Sequence, residues 1–261
     1  MADLIELERT GAIARVWLNR PDAHNALSGE MRTALVATLA GLAHDASCRV
    51  VVLGGRGPSF CAGADIGAMK ASAALTFDDN VTEATDFAAM FAAVAEFPRP
   101  VLGRLQGNVL GGGVGLACAC DIAVAGDDAK FGLTEVRLGI LPAIISPYVL
   151  RRLGDRQARE LMLTGERFGA ADALRVGLVH HVAPMTGLDA LVEQRVAELL
   201  KGAPQAQARV KQLLRAWANT GWENYRATLP RTLAETRAGE EAKDGLAAFF
   251  EKRKPKWMEP L

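Results

Sequence analysis

The chain has 261 residues, half of them hydrophobic, which is enough to bury the core of one large domain or of a domain with an appendage. Thirty basic residues balance thirty acidic ones, so no overall field draws the protein to nucleic acid or to an anionic membrane. The first residues lack the basic and then apolar pattern of a secretory signal, and no apolar run approaches the roughly 20 residues that span a bilayer. We therefore expect a cytoplasmic globular protein.

The cysteines are Cys48, Cys61, Cys118 and Cys120. Their spacing matches no metal-ligand pattern, and the last two lie in an apolar segment where a buried, reduced thiol is the ordinary state. We expect no disulfide and no metal centre.

Strand and helix patterns alternate along the first two thirds of the chain. Residues 13–18 alternate as a strand does, and Ser28 can cap a helix whose apolar residues recur at helical spacing. Residues 49–55, RVVVLGG, form a continuous β-branched run closed by glycines, which is typical of a buried parallel strand. A helix is predicted from about residue 81 to residue 96.

The stretch RPVLGRLQGNVLGGGVGLACACD, residues 99–121, repeats the order of a short strand, a glycine-rich turn and a helix, and DIAVAG supplies another strand. This alternation predicts an α/β architecture, in which ligands gather at the carboxyl ends of the strands. From about residue 188 the strand patterns stop and helical spacing continues. We therefore divide the chain into a core, residues 1–190, and a helical assembly region, residues 191–261.

The glycine-rich turns carry no nucleotide-binding motif. Neither G-x-x-x-x-G-K-[ST] nor G-x-G-x-x-G occurs, and the G-x-S-x-G elbow of a serine hydrolase is also absent. The histidines suit ordinary surface or core positions better than a catalytic base, although His24 lies in a polar loop that can touch a ligand. Nucleotide hydrolysis, a dinucleotide fold and serine hydrolysis are therefore disfavoured.

The chemical groups that this segment offers are the backbone N–H groups at the start of its helix. N–H groups from Gly111 onward have no acceptor within their helix and carry the positive end of its dipole. A second glycine-rich turn, CAGADI at residues 61–66, aims another N–H at the same point if the preceding strands are neighbours. Two such donors form an oxyanion hole, which stabilises negative charge developing on a carbonyl oxygen.

With NRPDAHNALS upstream and FGLTEVRLGILP downstream, the two turns resemble the enoyl-CoA hydratase/isomerase (crotonase) family along nearly the whole chain. The resemblance continues in LTGERFGAADALRVGLVHHVAP and AAFFEKRKP. It implies a crotonase-like spiral of ββα units, followed by helices that join copies into trimers or hexamers. It also implies an acyl-CoA thioester substrate, with no cofactor apart from the CoA that the substrate carries.

The same resemblance assigns roles to individual residues. It gives the oxyanion N–H groups to Ala64 and Gly112, and it makes Glu135 the acid/base. The residues that fall where the family contacts CoA are Arg20, His24, Ala26, Asp65 and Ile66, together with Lys252 of a neighbouring subunit. The residues expected to line or support the acyl pocket are Met69, Ile144, Ile145, Ser146 and Tyr148.

One expected carboxylate is missing. Hydratases of the family use two glutamates, and Gly115 stands where the first would be, while Glu135 matches the second. Three interpretations follow: hydration by one glutamate, double-bond isomerisation by one base, and a non-catalytic CoA-binding or RNA-associated role. The balanced charge and the small number of aromatic residues argue against RNA.

Residues 111–154 resemble the bacterial methylglutaconyl-CoA hydratase branch, whose substrates carry a second carboxylate near the hydrated carbon. We therefore hypothesise that Gly115 leaves room for that carboxylate or for water, and that Arg137 is its cationic partner. The predicted function is hydration of 3-methylglutaconyl-CoA or of a related branched dicarboxylic enoyl-CoA.

Overall fold

The computed structural model describes residues 3–72 and 74–258. The strands are β1 (Ile5–Thr10), β2 (Ile13–Leu18), β3 (Val50–Gly55), β4 (Val101–Leu105), β5 (Asn108–Leu110), β6 (Ile122–Gly126), β7 (Lys130–Gly132), β8 (Arg167–Gly169) and β9 (His181–Ala183). The α-helices are α1 (Gly29–His44), α2 (Ile66–Ser72), α3 (Phe77–Ala95), α4 (Gly112–Ala119), α5 (Ser146–Thr164), α6 (Ala170–Arg175), α7 (Leu188–Lys201), α8 (Pro204–Asn219), α9 (Trp222–Ala238) and α10 (Glu240–Glu251). None of the described helices is both long and apolar enough to cross a membrane.

Two sheets form the core. The larger has the order β1-β2-β3-β4-β6-β9, with β1 antiparallel to β2 and the other neighbours parallel. The smaller has the order β5-β7-β8. The two sheets meet because β4 and β5 are separated by only two residues, so the chain leaves one sheet and enters the other in a single tight turn. The predicted α/β alternation is confirmed.

Both faces of the larger sheet are covered, which explains the unbroken apolar run of β3. Val51 and Leu53 pack into the main core, whereas Val50 and Val52 pack against α7 on the opposite face. Helix α4 lies inside the main core, and every residue from Gly112 to Ala119 is buried. A helix with only small and apolar side chains is what such a position requires.

The predicted boundary between residues 190 and 191 falls inside α7 and is wrong as a structural division. Leu188, Val192 and Val196 of that helix form one apolar cluster with the sheet. The helices that extend from the core therefore begin with α8, at Pro204.

Helices α8 and α9 bury none of their described side chains in this single chain. Lys211 anchors α8 to the core, since its Nζ lies 2.6 Å from Asp121 Oδ2 and donates a 3.0 Å bond to the Arg99 carbonyl. The large apolar side chains left exposed on the last three helices are Val210, Leu214, Trp217, Trp222, Leu233, Leu246, Phe249 and Phe250.

A buried asparagine holds the loop between β2 and α1. Asn25 is fully buried at a positive φ of 54°, a conformation that asparagine tolerates better than most residues. Its amide nitrogen donates to the carbonyls of Arg56 and Ser59, and its amide oxygen accepts from the Arg20 N–H at 2.8 Å. One side chain thus fixes three points of the surrounding backbone.

We expect Asn25→Ala to lower the free energy of unfolding by roughly 3 kcal/mol, because it leaves buried backbone groups without partners. Denaturant titration of the purified variant measures this loss. Asn19→Ala is the matched control, since that amide makes a single bond on the exposed surface, to the Asp3 carbonyl. Equal losses in the two variants would contradict the role given to Asn25.

Candidate active site

The two glycine-rich turns lie side by side. The Leu110 N–H donates to the Cys61 carbonyl at 3.0 Å, and the Cys61 N–H donates to the Asn108 carbonyl at the same distance. Gly63 has a φ of +98°, and a methyl group built on it would lie 2.9 Å from the Leu110 carbonyl oxygen and 3.7 Å from the Gly112 nitrogen. Only glycine allows the turns to come this close.

Two backbone N–H groups are left without acceptors where the turns meet. Within the described residues, neither Ala64 nor Gly112 donates its N–H to a protein group. The Gly111 N–H was expected from the sequence to be a free donor, but it donates a hydrogen bond to the Gly132 carbonyl at 2.8 Å. Gly112 is the first residue of α4, so its N–H also carries the positive end of the helix dipole.

Glu135 faces the same point from a 3-10 turn that follows β7. Its Oε1 is 3.1 Å from the position that a methyl group on Gly111 would take. Its Oε2 is buried and has no hydrogen-bond partner among the described residues. Burial raises the pKa of the Glu135 carboxyl above its usual value, because the charged form loses hydration.

Glu135, Ala64 and Gly112 line one cavity of about 230 Å³. The other residues of its lining are Ala62, Gly63, Met69, Phe87, Gly111, Thr134, Leu138, Ile140, Leu141, Pro142, Ala143, Ile144 and Ile145. No lysine, arginine or histidine belongs to this lining. The cavity therefore offers one carboxylate and two N–H donors within apolar walls, which suits an uncharged acyl group next to a carbonyl oxygen.

Two features of the lining were missed from the sequence. Phe87 belongs to α3, whose apolar stripe reads as ordinary core packing. Leu138 and Leu141 are 63% and 71% exposed, although both line the cavity. A leucine in an irregular segment does not reveal from its sequence that it is exposed, so this rim could not be predicted.

The hypothesis that Gly115 leaves open space is wrong. Gly115 is buried in α4, and a Cβ built on it would lie 2.8 Å from Phe91 Cε1 and 2.9 Å from Ile145 Cβ. The space beside the glycine is therefore already filled by these two side chains. Neither water nor a substrate carboxylate has room there.

Two other predicted pocket residues point away from the cavity. Arg137 is exposed, and its Nε donates a 3.4 Å bond to the Thr164 carbonyl at the end of α5. Ser146 bonds the Ala143 carbonyl through its hydroxyl at 2.8 Å. Neither side chain lines the cavity, so the role expected of Arg137 in the acyl pocket is wrong. Ser146 supports the wall through its bond to Ala143, which is a lining residue. Tyr148 stands behind the wall, with its ring 5.9 Å from the Phe91 ring.

The residues predicted to bind CoA cluster around the oxyanion turn. Arg20 Nη1 lies 2.8 Å from Asp65 Oδ2 and donates to the Ala26 carbonyl at 3.1 Å. The Ala68 N–H, with the Arg20 guanidinium, lowers the pKa of the Asp65 carboxyl. Ile66 follows Asp65 and is 71% exposed.

His24 joins this loop to the oxyanion turn. Its carbonyl accepts from the Ala62 N–H at 2.9 Å, and its Nδ1 lies 2.9 Å from the Ser59 hydroxyl. Lys252 ends α10 on the exposed surface and lines neither the cavity nor this loop. Because its expected contact belongs to a neighbouring subunit, that role stays a prediction.

The raised pKa of the half-buried Glu135 carboxyl leads to a prediction about stability. The folded state binds the Glu135 proton more tightly than the unfolded chain does, so the wild-type protein loses stability as pH rises from the ordinary glutamate pKa through the raised one. Glu135→Gln removes this effect. The Tm of Glu135→Gln minus that of the wild type should therefore be larger at about pH 8 than at about pH 4.

Thermal melts across this pH range measure the difference. Glu160→Gln, at an exposed position of α5, is the matched control and should show no such trend. A Tm difference for Glu135→Gln that stays constant with pH would show that burial does not perturb this carboxyl.

The comparisons with known proteins agree with this geometry. The family model for enoyl-CoA hydratase/isomerase matches residues 8–260. The chain is 40% identical to the solved structure of Pseudomonas aeruginosa AtuE, with a TM-score of 0.95 and coverage of 98% of this chain and 100% of that one.

Two curated relatives have names that state a substrate. The short-chain-enoyl-CoA hydratase of Clostridium acetobutylicum is 33% identical over 95% of both chains. The 2,3-dehydroadipyl-CoA hydratase of Escherichia coli K12 is 32% identical over 98% of both chains. These matches confirm the predicted crotonase-like fold with its C-terminal helical region. The chain belongs to the enoyl-CoA hydratase/isomerase family.

Proposed function

We propose that this protein adds water across the 2,3 double bond of an enoyl-CoA, as a lyase of the enoyl-CoA hydratase type. The observation that carries the proposal is the half-buried Glu135 carboxyl, whose buried and unpartnered Oε2 shares a cavity with the free N–H groups of Ala64 and Gly112. A thioester oxygen held by two N–H donors and a base beside it are the groups that hydration needs.

The reaction uses these groups in two steps. Glu135 takes a proton from water while the water oxygen bonds to C3, and the electron pair of the double bond moves toward the thioester carbonyl. The N–H groups of Ala64 and Gly112 stabilise the resulting enolate oxygen. Glu135 then returns the proton to C2 on the same face, so that one carboxylate completes a syn addition.

The chemistry of the lining favours a short, uncharged acyl group. The lining of the cavity is apolar apart from Thr134 and Glu135, and its volume is about 230 Å³. A buried charge without a partner is costly, and no lining side chain offers a cation to a second carboxylate. A crotonyl-like group carries no second carboxylate, so its binding does not bury an unpaired charge.

A branched dicarboxylic enoyl-CoA, such as 3-methylglutaconyl-CoA, is the second candidate substrate. The name of the 2,3-dehydroadipyl-CoA hydratase relative supports it, because that acyl group also ends in a carboxylate. In this chain the distal carboxylate would have to stay in water at the rim formed by Leu138 and Leu141. That condition ranks it behind the uncharged substrate.

Double-bond isomerisation is the alternative reaction. It needs one base to move a proton along the acyl chain through a dienolate, and Glu135 is the one carboxylate of the cavity lining. Isomerisation leaves the substrate mass unchanged, whereas hydration adds one water molecule.

We also propose that the exposed apolar side chains of α8, α9 and α10 join copies of the chain into a trimer or a hexamer. In one chain these helices leave Trp217, Trp222, Phe249 and Phe250 more than half exposed, which is a large apolar area for a monomer. We propose a cytoplasmic location for the assembled protein.

The first test compares crotonyl-CoA, 3-methylglutaconyl-CoA and a 3-enoyl-CoA by mass and by absorbance. We expect water to add to crotonyl-CoA with kcat/KM at least as high as for 3-methylglutaconyl-CoA. Glu135→Gln should lower kcat by about 10²-fold or more, which is the usual contribution of a general acid/base. Glu160→Gln is the matched control and should keep full activity.

Each other outcome changes a stated part of the proposal. Faster hydration of 3-methylglutaconyl-CoA would make the dicarboxylic acyl group the substrate. A shifted double bond without added water would make the protein an isomerase. Full activity in Glu135→Gln would exclude this residue as the acid/base, and no reaction with any of the three would leave a CoA-binding role.

A second variant tests the oxyanion donors. Gly63→Ala should lower kcat by roughly 10²-fold, because a methyl group at this position pushes the Leu110 carbonyl and displaces the Gly112 N–H. Gly177→Ala is the matched control: its φ is also positive, at +81°, but open space surrounds it. Both should lose stability through backbone strain, and only Gly63→Ala should lose kcat. Equal kcat in the two folded variants would contradict the oxyanion assignment.

A further inference from the structure

One isoleucine of the cavity lining has the packed core directly behind it, and we call it the floor of the acyl cavity. Ile145 lines the cavity, and only 2% of its surface is exposed. Gly115 and Phe91 lie directly behind it in the core and do not line the cavity. Ile145 therefore separates the space for the acyl group from the packed interior.

The position of Ile145 is fixed from several sides. It precedes α5 as the N-cap residue, and its carbonyl accepts from the N–H groups of Tyr148 and Val149 at 3.1 Å. Its β-branched side chain has few rotamers. Behind it the Phe91 ring packs edge-on against Phe87, with the ring centres 5.0 Å apart. The floor cannot move back without disturbing this aromatic packing.

The packing of Ile145 against Phe91 also explains why residue 115 is a glycine. A side chain on residue 115 would begin 2.9 Å from Ile145 Cβ and 2.8 Å from Phe91 Cε1, which is closer than carbon atoms pack. Glycine at 115 and isoleucine at 145 thus fit as a pair, and the two positions are 30 residues apart in the sequence.

We propose that Ile145 is the specificity-determining residue that ends the acyl cavity, and that residue 115 has to be glycine because Ile145 occupies the space that a side chain there would need. The substrate class that follows is short-chain acyl-CoA, since a longer chain meets the Ile145 side chain. This inference rests on the proposed function for its acyl-CoA substrate.

The decisive experiment measures chain-length preference. For the wild type, kcat/KM should fall steeply from crotonyl-CoA to 2-octenoyl-CoA. In Ile145→Ala the ratio of kcat/KM for 2-octenoyl-CoA to that for crotonyl-CoA should rise by about tenfold or more, because hydrophobic pockets discriminate roughly 10- to 200-fold per methylene. Val149→Ala is the matched control: Val149 is equally buried on α5 but lies outside the cavity lining, so its ratio should not change.

Binding separates this inference from the proposed reaction. Calorimetric titration with the saturated butyryl-CoA and octanoyl-CoA needs no turnover, and Ile145→Ala should strengthen octanoyl-CoA binding relative to butyryl-CoA by a similar factor. If the wild-type protein turns over none of the enoyl-CoAs but this shift in binding appears, the proposed hydration is contradicted and the role of Ile145 in ending the cavity is supported. An unchanged ratio in folded Ile145→Ala, or an equal shift in Val149→Ala, overturns the inference.

The pairing with Gly115 has its own test. Gly115→Ala should lower Tm, and because Ile145→Ala removes the Cγ2 methyl group that lies nearest to residue 115, the loss of Tm in the double variant should be smaller than the sum of the two single losses. Ile145→Val also serves for the chain-length measurement if Ile145→Ala does not fold, with a smaller shift in the same direction. Additive losses of Tm in the double variant would show that the two residues do not share this space.

Discussion

The site depends on the close approach of two backbone turns. The bonds between Cys61, Asn108 and Leu110 bring the turn after β3 onto the turn before α4, and Gly63 lets the chains approach without a side chain between them. This contact orients the free N–H groups of Ala64 and Gly112 into one cavity. Because these donors are backbone atoms, their placement is as rigid as the sheets that carry the turns. Only the shape of the fold, and no particular side chain, supplies this part of the chemistry.

The carboxylate that completes the site is placed at a cost in stability. Glu135 is half-buried beside apolar walls, its Oε2 is buried without a partner, and partial burial raises the pKa of its carboxyl. Within the described residues no cation pairs with this carboxyl, in contrast to Asp65, which is held by Arg20 and by the Ala68 N–H. A carboxylate that is poorly solvated is a stronger base than one in water. In the proposed reaction the unpartnered Oε2 of Glu135 accepts the proton of the attacking water molecule. The rest of the fold must supply the stability that this arrangement loses.

Local sequence patterns predicted the elements well where one interaction decides them. The strand predicted at residues 13–18 is β2 in full, and Ser28 caps α1 by accepting from the Met31 N–H. Helix α3 begins four residues before the predicted start, because Thr76 caps it. The intervening residues are Phe77, which is exposed, and three polar residues, so this turn shows no buried apolar stripe. The domain boundary was misplaced because α7 has the same helical spacing as α8, and only its contacts with the sheet distinguish the two.

The errors at the site come from contacts between distant segments. A sequence shows that Gly115 has no side chain, but it does not show that Ile145 arrives from 30 residues later to fill the place. Arg137 lies only two residues after Glu135, yet the 3-10 turn directs the two side chains differently. The oxyanion donors Ala64 and Gly112 were assigned by the family resemblance, whereas the shape of the acyl cavity depends on contacts between distant segments that the resemblance does not give.

The contact between Gly115 and Ile145 also changes how the missing second glutamate is interpreted. An empty position would allow a second glutamate to be restored by one substitution at Gly115, whereas a filled position would not. A glutamate there would have to displace Ile145, and with it the floor of the cavity and the packing of Phe91. The number of carboxylates and the length of the acyl cavity are therefore coupled in this protein. A side chain at residue 115 requires a compensating change at Ile145, because a close-packed core has no spare volume to absorb it.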